Sequence, residues 1–362
     1  MITKKKKIAL GIVLSLAAVL FAAGFLEVYI RMVLFHGFKL GDGILKREDF
    51  YADYFSDDDY WKLMYIFQGQ DVAPWHPHPF LGWYGKFDPA TYEHNDEKNI
   101  GKKTPVLLYG DSFAACETYL CFQEILNGDK EFSKYFHLLN YGVHAYGLDQ
   151  IELLYEKSNE LYKDPVVIFG FLTEDIDRSM LSFRLRPKPY YKMENGELVL
   201  EGVPLDPDPA KYLKEHPVSI RSYLWALVKH SNRLPEKIGA YLRGDEETIE
   251  EKIELNDAII QKTIDDLKKR NVHFIFVIFH ADWPDPIEAP DTWRDNFIRE
   301  ILDKNHVPYV WTKGLILEDM KKTGKDLSAY FLPTHHYTDY TNNLVAQEMK
   351  RMLLLQKNYV SH

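Results

Sequence analysis

The chain lacks the glycine patterns that bind nucleotide phosphates. No stretch has the glycine spacing of a Walker loop or of a dinucleotide-binding turn, so neither of those folds is indicated. There is no internal repeat, which argues against a repeat architecture, and no low-complexity tract. The 362 residues carry a formal net charge of −10, which argues against nucleic acid and against broad binding to anionic lipid or anionic glycan.

Cysteine is equally scarce. The chain has two, Cys116 and Cys121, and both fall in a stretch from Ala114 to Leu126 that the pattern predicts to be one helix. A five-residue offset on a helix turns two side chains about 140° apart, so we predict two small buried hydrophobic residues and no disulfide. Few cysteines are typical of a bacterial protein outside the cytosol.

Aromatic residues are plentiful, at 14% of the chain with 24 tyrosines. This content excludes a disordered chain and offers flat surfaces on which sugars stack. The length suffices for a substantial core, in one large domain or in one domain with a modest appendage.

A long apolar run lies at the N-terminus. Lys4 to Lys7 precede Ile8 to Leu26, which contains no charge in nineteen residues. This predicts a membrane-spanning helix with the lysines in the cytoplasm and the remainder of the chain outside it. The alternative is a cleaved signal peptide with a processing site near Ala22-Ala23-Gly24. Because apolar residues continue to Phe35, we favour a retained anchor over residues 1–35.

The remainder of the chain alternates short apolar runs with helical patterns. This alternation predicts a parallel sheet covered by helices on both faces, with sites at the carboxyl ends of its strands. Pro308 makes the last strand an edge strand. The predicted strands are Val106 to Tyr109, Leu138 to Tyr141, Val166 to Phe171, His273 to Phe279 and Val307 to Trp311, and the predicted helices include Asp149 to Tyr162, Glu246 to Lys269 and Thr292 to Lys304.

The first of these strands ends in Gly110-Asp111-Ser112-Phe113. Ser112 therefore stands on a strand-to-helix turn, where the backbone N–H groups of the first helical turn lack intrahelical partners. A serine in this position can attack a carbonyl while its own N–H stabilises the oxyanion. We expect Asp111 to hold the turn by hydrogen bonding.

A candidate base lies near the other end of the chain. His335 and His336 follow Thr334 in a loop and precede a C-terminal helix. A histidine in such a loop is a natural general base. We predict that His336 approaches Ser112 within hydrogen-bonding reach or one water beyond it, with His335 as the fallback.

These motifs resemble the SGNH (GDSL-like) hydrolase superfamily. Gly110 to Phe113 resembles its first block, Asn140 to Gly147 its second, and His336 the histidine of its last. The resemblance implies a flavodoxin-like three-layer α/β/α sandwich with a five-stranded parallel sheet. It also implies Ser112 as nucleophile, His336 as base, the Gly142 N–H in the oxyanion hole, and neither metal nor cofactor.

The resemblance is greater to the membrane-anchored members of bacterial cell-envelope polysaccharide systems. Those proteins carry a segment like His78 to Trp83 before the serine block, and often segments like Asp175 to Arg178 and Lys188 to Tyr191 after the third strand.

Two positions depart from the family pattern. Glu174 stands where the third block has an asparagine that donates to the oxyanion, beside Asp175 as a further candidate binding residue. We expect burial and crowding with Asp111 or Asp175 to raise the pKa of Glu174. The Asp that usually precedes the histidine is replaced by Pro333 or Thr334, so a Ser-His dyad is predicted, oriented by the Thr334 hydroxyl or by a main-chain carbonyl.

The chain is thus predicted to comprise the anchor, a membrane-proximal lead-in over residues 36–103, and an SGNH-like domain over residues 104–362. His76 and His78 alternate with prolines and make a poor metal site. An insertion at about 177–245 contains a hairpin about Asn195-Gly196. This insertion is either a cap on the sheet edge or a lid over the serine.

The sequence therefore predicts a membrane-anchored serine esterase or O-acyltransferase that acts on ester groups, O-acetyl above all, of an extracytoplasmic glycan. The alternative is a catalytically degenerate member that binds glycan or an envelope assembly partner.

Overall fold

The computed structural model describes residues 4–36, 76–184, 186–206, 208, 211, 214–215, 221–229, 248–283 and 285–360. The chain divides into two compact units, residues 1–72 with 208–249 and residues 73–207 with 250–362. Residues 37–75 of the predicted lead-in and residues 230–245 of the predicted insertion lie outside the described part, as do residues 246–247 of the predicted helix from Glu246.

The elements are numbered here along the chain. The strands are β1 (His76–His78), β2 (Gly82–Tyr84), β3 (Thr104–Gly110), β4 (Phe136–Gly142), β5 (Val166–Leu172), β6 (Tyr190–Glu194), β7 (Glu197–Glu201), β8 (His273–Phe279) and β9 (Tyr309–Trp311). The helices are α1 (Lys4–His36), α2 (Ser112–Ala115), α3 (Phe122–Gly128), α4 (Leu148–Ser158), α5 (Asp175–Arg178), α6 (Tyr223–Lys229), α7 (Thr248–Lys269), α8 (Trp293–Lys304), α9 (Thr312–Thr323) and α10 (Asp339–Val360).

A five-stranded parallel sheet forms the centre of the larger unit. Its strand order is β4-β3-β5-β8-β9, and the register pairs Gly110 with Gly142 and Val106 with Val166. All five predicted strands are present, and β9 is an edge strand as Pro308 indicated. Because every strand runs in the same direction, their carboxyl ends meet at one edge of the sheet.

Helices cover both faces of this sheet, which confirms the predicted three-layer α/β/α sandwich. Successive strand residues point to opposite faces, so Leu107 and Phe169 belong to one core cluster and Val106 and Ile168 to the other. Helices α4, α7 and α8 pack on the first face, and α3, α9 and α10 pack on the second. Strands β4 and β5 are buried along their whole length, as continuous apolar runs require.

The predicted hairpin about Asn195-Gly196 is confirmed. Strands β6 and β7 pair in antiparallel fashion, with Glu194 opposite Glu197. Both turn residues have positive φ, 53° at Asn195 and 82° at Gly196. A tight two-residue turn with this backbone favours the Asn-Gly pair because these residues tolerate the left-handed region best.

The predicted single helix from Ala114 to Leu126 is wrong. Helix α2 ends at Ala115, and Cys116 takes φ 60° and ψ 150°, a conformation that no helix contains. The chain folds back before α3 begins, so the Cα atoms of Cys116 and Cys121 lie 5.7 Å apart and the two form a disulfide. The prediction of no disulfide was therefore wrong as well, because it assumed an unbroken helix.

The smaller unit contains α1 and α6. The stretch from Leu10 to Leu34 is long and apolar enough to cross a membrane. Most side chains in the first part of α1 are exposed. Near its C-terminal end, Ile30 and Val33 are buried against α6. The Glu27 carboxylate accepts hydrogen bonds from the N–H groups at the start of α6, including that of Leu224 at 2.8 Å. It therefore caps α6, because the first N–H groups of a helix have no partner within it.

Candidate active site

Ser112 opens α2 directly after the carboxyl end of β3. The Asp111 side chain accepts a hydrogen bond from the Phe113 N–H at 2.9 Å and so caps the helix, as the sequence predicted. Ser112 is 8% exposed, so it is largely shielded from solvent. Its N–H occupies the first helical position, which has no acceptor within the helix.

His336 meets this serine across 224 positions of sequence. Its Nε2 lies 2.8 Å from the Ser112 Oγ, which confirms the predicted contact. The imidazole stacks on the Phe113 ring with centroids 4.9 Å apart, and this fixes its plane. The residue next to the nucleophile in sequence thus positions the candidate base.

The other ring nitrogen of His336 is held by two acceptors. Nδ1 lies 3.0 Å from the Thr334 carbonyl oxygen and 3.1 Å from a Glu117 carboxylate oxygen. Because neither group can donate, the proton of a neutral imidazole belongs on Nδ1, and Nε2 is left to accept the Ser112 hydroxyl proton. Of the two predicted orienting groups, the carbonyl fills the role. The Thr334 hydroxyl instead donates to Glu117 at 2.6 Å.

Glu117 is a residue that the sequence reasoning missed. It lies in the stretch between α2 and α3 and carries no motif of its own. The incorrect prediction of an unbroken helix also assigned it to a regular helical turn. The only available signal was the pair of cysteines around it, which in the structure close the loop that contains it.

His335, the predicted fallback, is turned away from the serine. Its Nδ1 lies 2.7 Å from an Asp282 carboxylate oxygen, and its ring stacks beside Trp283. Its backbone is in the left-handed region, with φ 66°, and this conformation directs the two neighbouring histidines differently. The structure therefore selects His336 as the base candidate.

The predicted role of the Gly142 N–H needs correction. That N–H donates to the Asn140 side-chain oxygen at 2.9 Å, so it is already engaged. What the position requires is the absence of a side chain, since a Cβ there would lie 2.4 Å from the Ala115 nitrogen. Gly142 lets α2 pack directly on β4, and the Ser112 N–H stays the candidate oxyanion donor of the two that were predicted.

Asp175 is also not a binding residue, because its side chain is fully buried. It accepts a hydrogen bond from the Leu172 N–H at 3.0 Å and pairs with Arg178. The same guanidinium lies 3.3 Å from Asp111, so one buried cation links two buried carboxylates beneath the serine turn. Burial, followed by the neighbouring charge of Asp111, raises the pKa of Asp175 well above its ordinary value.

Glu174 lies at the rim of a small polar cavity that His280 and Arg294 also line. Its carboxylate accepts a hydrogen bond from the Thr173 hydroxyl at 2.9 Å. Burial raises the pKa of Glu174, as predicted, but the expected crowding by Asp111 or Asp175 is not among the causes. The positive charge of Arg294 acts against burial and lowers the pKa of Glu174, because it stabilises the carboxylate.

A cavity of about 480 Å³ opens beside the serine turn. Trp83 and Tyr84 line one part of it, Tyr119 stands on the disulfide-closed loop, and Lys86 and His144 add polar groups. Burial lowers the pKa of His144 and favours its neutral form. The lining of the cavity thus combines aromatic side chains with hydrogen-bonding groups.

No group of three or more His, Cys, Asp or Glu side chains is arranged to hold a metal ion within the described ranges. No family model matches the chain, and no curated protein matches it.

Similar solved structures were found at low identity. They include an acetylxylan esterase from Geobacillus stearothermophilus (11% identity, TM-score 0.36, covering 70% of this chain and 94% of that one). Another is a member of the lipolytic protein G-D-S-L family from Veillonella parvula (10%, 0.32, covering 68% and 97%). A third is an alpha/beta hydrolase enzyme from the metagenome of Lake Arreo in Spain (11%, 0.38, covering 67% and 91%). These values are too low to transfer an activity, so the function has to follow from this chain's own residues.

Proposed function

We propose that this protein is an SGNH-type serine esterase or O-acyltransferase. The observation that carries the proposal is the Ser112 Oγ at 2.8 Å from His336 Nε2, with the opposite nitrogen of the ring held by two acceptors. This is the arrangement of a hydroxyl nucleophile with an oriented base.

The reaction follows from these positions. Ser112 attacks the ester carbonyl as His336 Nε2 takes the hydroxyl proton, and the Ser112 N–H stabilises the resulting oxyanion. Collapse of the tetrahedral intermediate breaks the bond to the alcohol, which leaves with the proton from His336. Water or an acceptor hydroxyl then attacks the acyl-serine while His336 Nε2 takes its proton. His336 returns this proton to the Ser112 Oγ as the acyl bond to the serine breaks. Water gives a hydrolase, and another hydroxyl gives an acyltransferase.

The substrate we propose is an O-acetylated glycan. The cavity next to α2 is lined in part by Tyr84 and Tyr119, and aromatic faces are suited to stacking against sugar rings. Tyr119 is fully exposed, so its ring is accessible to a ligand. In this proposal the acetyl ester lies at Ser112 and the sugar occupies the cavity.

A second candidate function is binding without turnover. It is favoured by Glu174, which occupies the sequence position where the family pattern has an oxyanion-donating amide, and by Gly142, whose N–H is already engaged. The same cavity would then bind the glycan, or an envelope assembly partner that carries it, and Ser112 would perform no chemistry.

The two functions are separated by labelling with a fluorophosphonate, which reacts only with an activated serine. We expect strong labelling of the full-length protein in detergent and none of Ser112→Ala, because only a hydroxyl deprotonated by His336 attacks phosphorus readily. Gel fluorescence measures the labelling. An unlabelled wild-type protein would reject the enzyme and favour the binding function.

We further propose that α1 is a retained membrane anchor with the larger unit outside the cytoplasm. The apolar stretch from Leu10 to Leu34 is long enough to span, and the lysines before it favour the cytoplasmic side. We therefore expect the protein to remain in the membrane fraction after an alkaline wash, with residues 1–35 intact. A soluble protein that begins at residue 24 or 25 would instead show a cleaved signal peptide.

A further inference from the structure

Glu117 makes two contacts with the segment that carries the candidate base. One carboxylate oxygen lies 3.1 Å from His336 Nδ1, and the other accepts the Thr334 hydroxyl at 2.6 Å. The carboxylate is thus fixed at both oxygens, and one of them faces the nitrogen opposite the serine. Its side chain is 30% exposed, so the contact is only partly screened by solvent.

The loop that carries Glu117 is restrained at several points. The disulfide between Cys116 and Cys121 closes it, with Glu117 next to the first cysteine. Asn342 on α10 donates from its side chain to the Thr118 hydroxyl at 2.9 Å and to the Leu120 carbonyl at 3.2 Å. A long exposed acid usually loses side-chain entropy when it is held in one geometry. Here covalent closure and the bonds to α10 fix the backbone from which Glu117 extends.

We propose that Glu117 is the positioning carboxylate of this site and replaces the acid that is missing before His336. On the proposed function, His336 becomes an imidazolium during the reaction. A carboxylate at Nδ1 stabilises that cation and holds the ring in the tautomer that leaves Nε2 free to take the serine proton. The acid comes from the loop after the nucleophile, whereas Pro333 and Thr334 occupy the positions just before the histidine. Thr334 contributes a carbonyl to the ring and a hydroxyl to the acid.

Other carboxylates near the histidine segment are committed elsewhere. Asp282 is paired with His335 at 2.7 Å, and Asp111 faces Arg178. Glu117 is therefore the acid whose position matches the role.

The first test is Glu117→Gln, which keeps the shape and removes the charge. We expect kcat on an activated acetyl ester to fall about 100-fold, less than the roughly 10⁴-fold loss seen when a triad Asp is neutralised, because the Thr334 carbonyl still holds Nδ1–H. KM should stay within about twofold, since the residue acts through His336. The matched control is Glu131→Gln, a surface acid paired with Lys350, which should leave kcat and KM unchanged.

The second test returns the carboxylate from another position. Thr334→Asp in the Glu117→Gln background places an acid two residues before His336, and we expect it to recover at least tenfold in kcat. A carboxylate at 334 would not repair a loop that had merely lost a structural contact. The melting temperature of each variant shows that the comparison is between folded proteins.

The outcomes separate this inference from the proposed function. If the wild type turns over the ester and Glu117→Gln matches it, the positioning role is wrong and the esterase stands. If Glu117→Gln is slow but Thr334→Asp recovers nothing, the role of Glu117 is structural and the inference is overturned. A wild type that neither labels with fluorophosphonate nor turns over rejects both.

Discussion

Replacing His336 with alanine is expected to lower kcat for an activated acetyl ester by about 10⁴- to 10⁶-fold. The loss is large because Ser112 depends on one proton acceptor, His336 Nε2 at 2.8 Å. An unassisted serine hydroxyl is a weak nucleophile at neutral pH. The Ser112 N–H and the binding cavity remain in the variant, so a small residual rate above the uncatalysed reaction is expected.

The neighbouring histidine provides a matched control. His335→Ala removes an imidazole from the same loop, but this ring faces Asp282 and is half exposed. We expect its kcat to stay within about threefold of the wild type, and a spectrophotometric assay at substrate saturation measures both variants. Equal losses in the two variants would show that the loop, and not the Nε2 contact, supports the activity.

The sheet could be predicted from local apolar patterns, and the Ser112–His336 contact from the family motifs that contain the two residues. Val166 to Phe171 is a continuous apolar run of the length of a buried strand, and it became the central strand. Ser112 and His336 each flank the carboxyl end of the predicted sheet. In a parallel sheet all such ends lie at one edge, so a contact between residues 224 positions apart was expected once the family motifs had placed both residues there.

Glu117 and the disulfide could not be predicted because they depend on one backbone conformation. Cys116 has φ 60°, which a non-glycine residue rarely adopts and which no neighbouring residue signals. Without that break the helix continues, the cysteines diverge, and Glu117 points elsewhere. Glu117 is also one of 54 acidic residues, and only the folded loop distinguishes it from the others.

The buried charges beneath the serine turn were hidden for a different reason. Asp175 and Arg178 stand three positions apart on α5, a spacing equally typical of an exposed helix face. Only the packing of α5 under the turn buries them and brings Asp111 to the same guanidinium. A residue interpreted as a ligand-binding group thus proved to be internal support.

The largest loss of stability is expected from Arg178→Met. The guanidinium is in direct contact with the carboxylates of Asp111 and Asp175, neither of which is exposed to solvent. Without it two buried acids face each other uncompensated, which should lower the free energy of unfolding by about 3–5 kcal/mol at pH 7. Urea denaturation of the detergent-solubilised full chain, followed by tryptophan fluorescence, measures the change. Arg351→Met, which removes an exposed partner of Glu348, should change it by less than about 0.5 kcal/mol.

The loss of unfolding free energy in Arg178→Met should also increase with pH. The pKa of Asp175 is raised in the folded protein, so the folded state holds a proton that the unfolded chain releases above its ordinary pKa of 3.8. Folding is then favoured less as pH rises through the interval above that value. Removing Arg178 raises the pKa of Asp175 further, so the destabilisation should be greater at pH 8 than at pH 5.

A double variant tests the electrostatic origin of the loss. Adding Asp175→Asn to Arg178→Met removes one of the two like charges and should recover part of the loss at pH 8. Equal losses at both pH values, with no recovery in the double variant, would show that Arg178 stabilises the turn through packing and not through its charge.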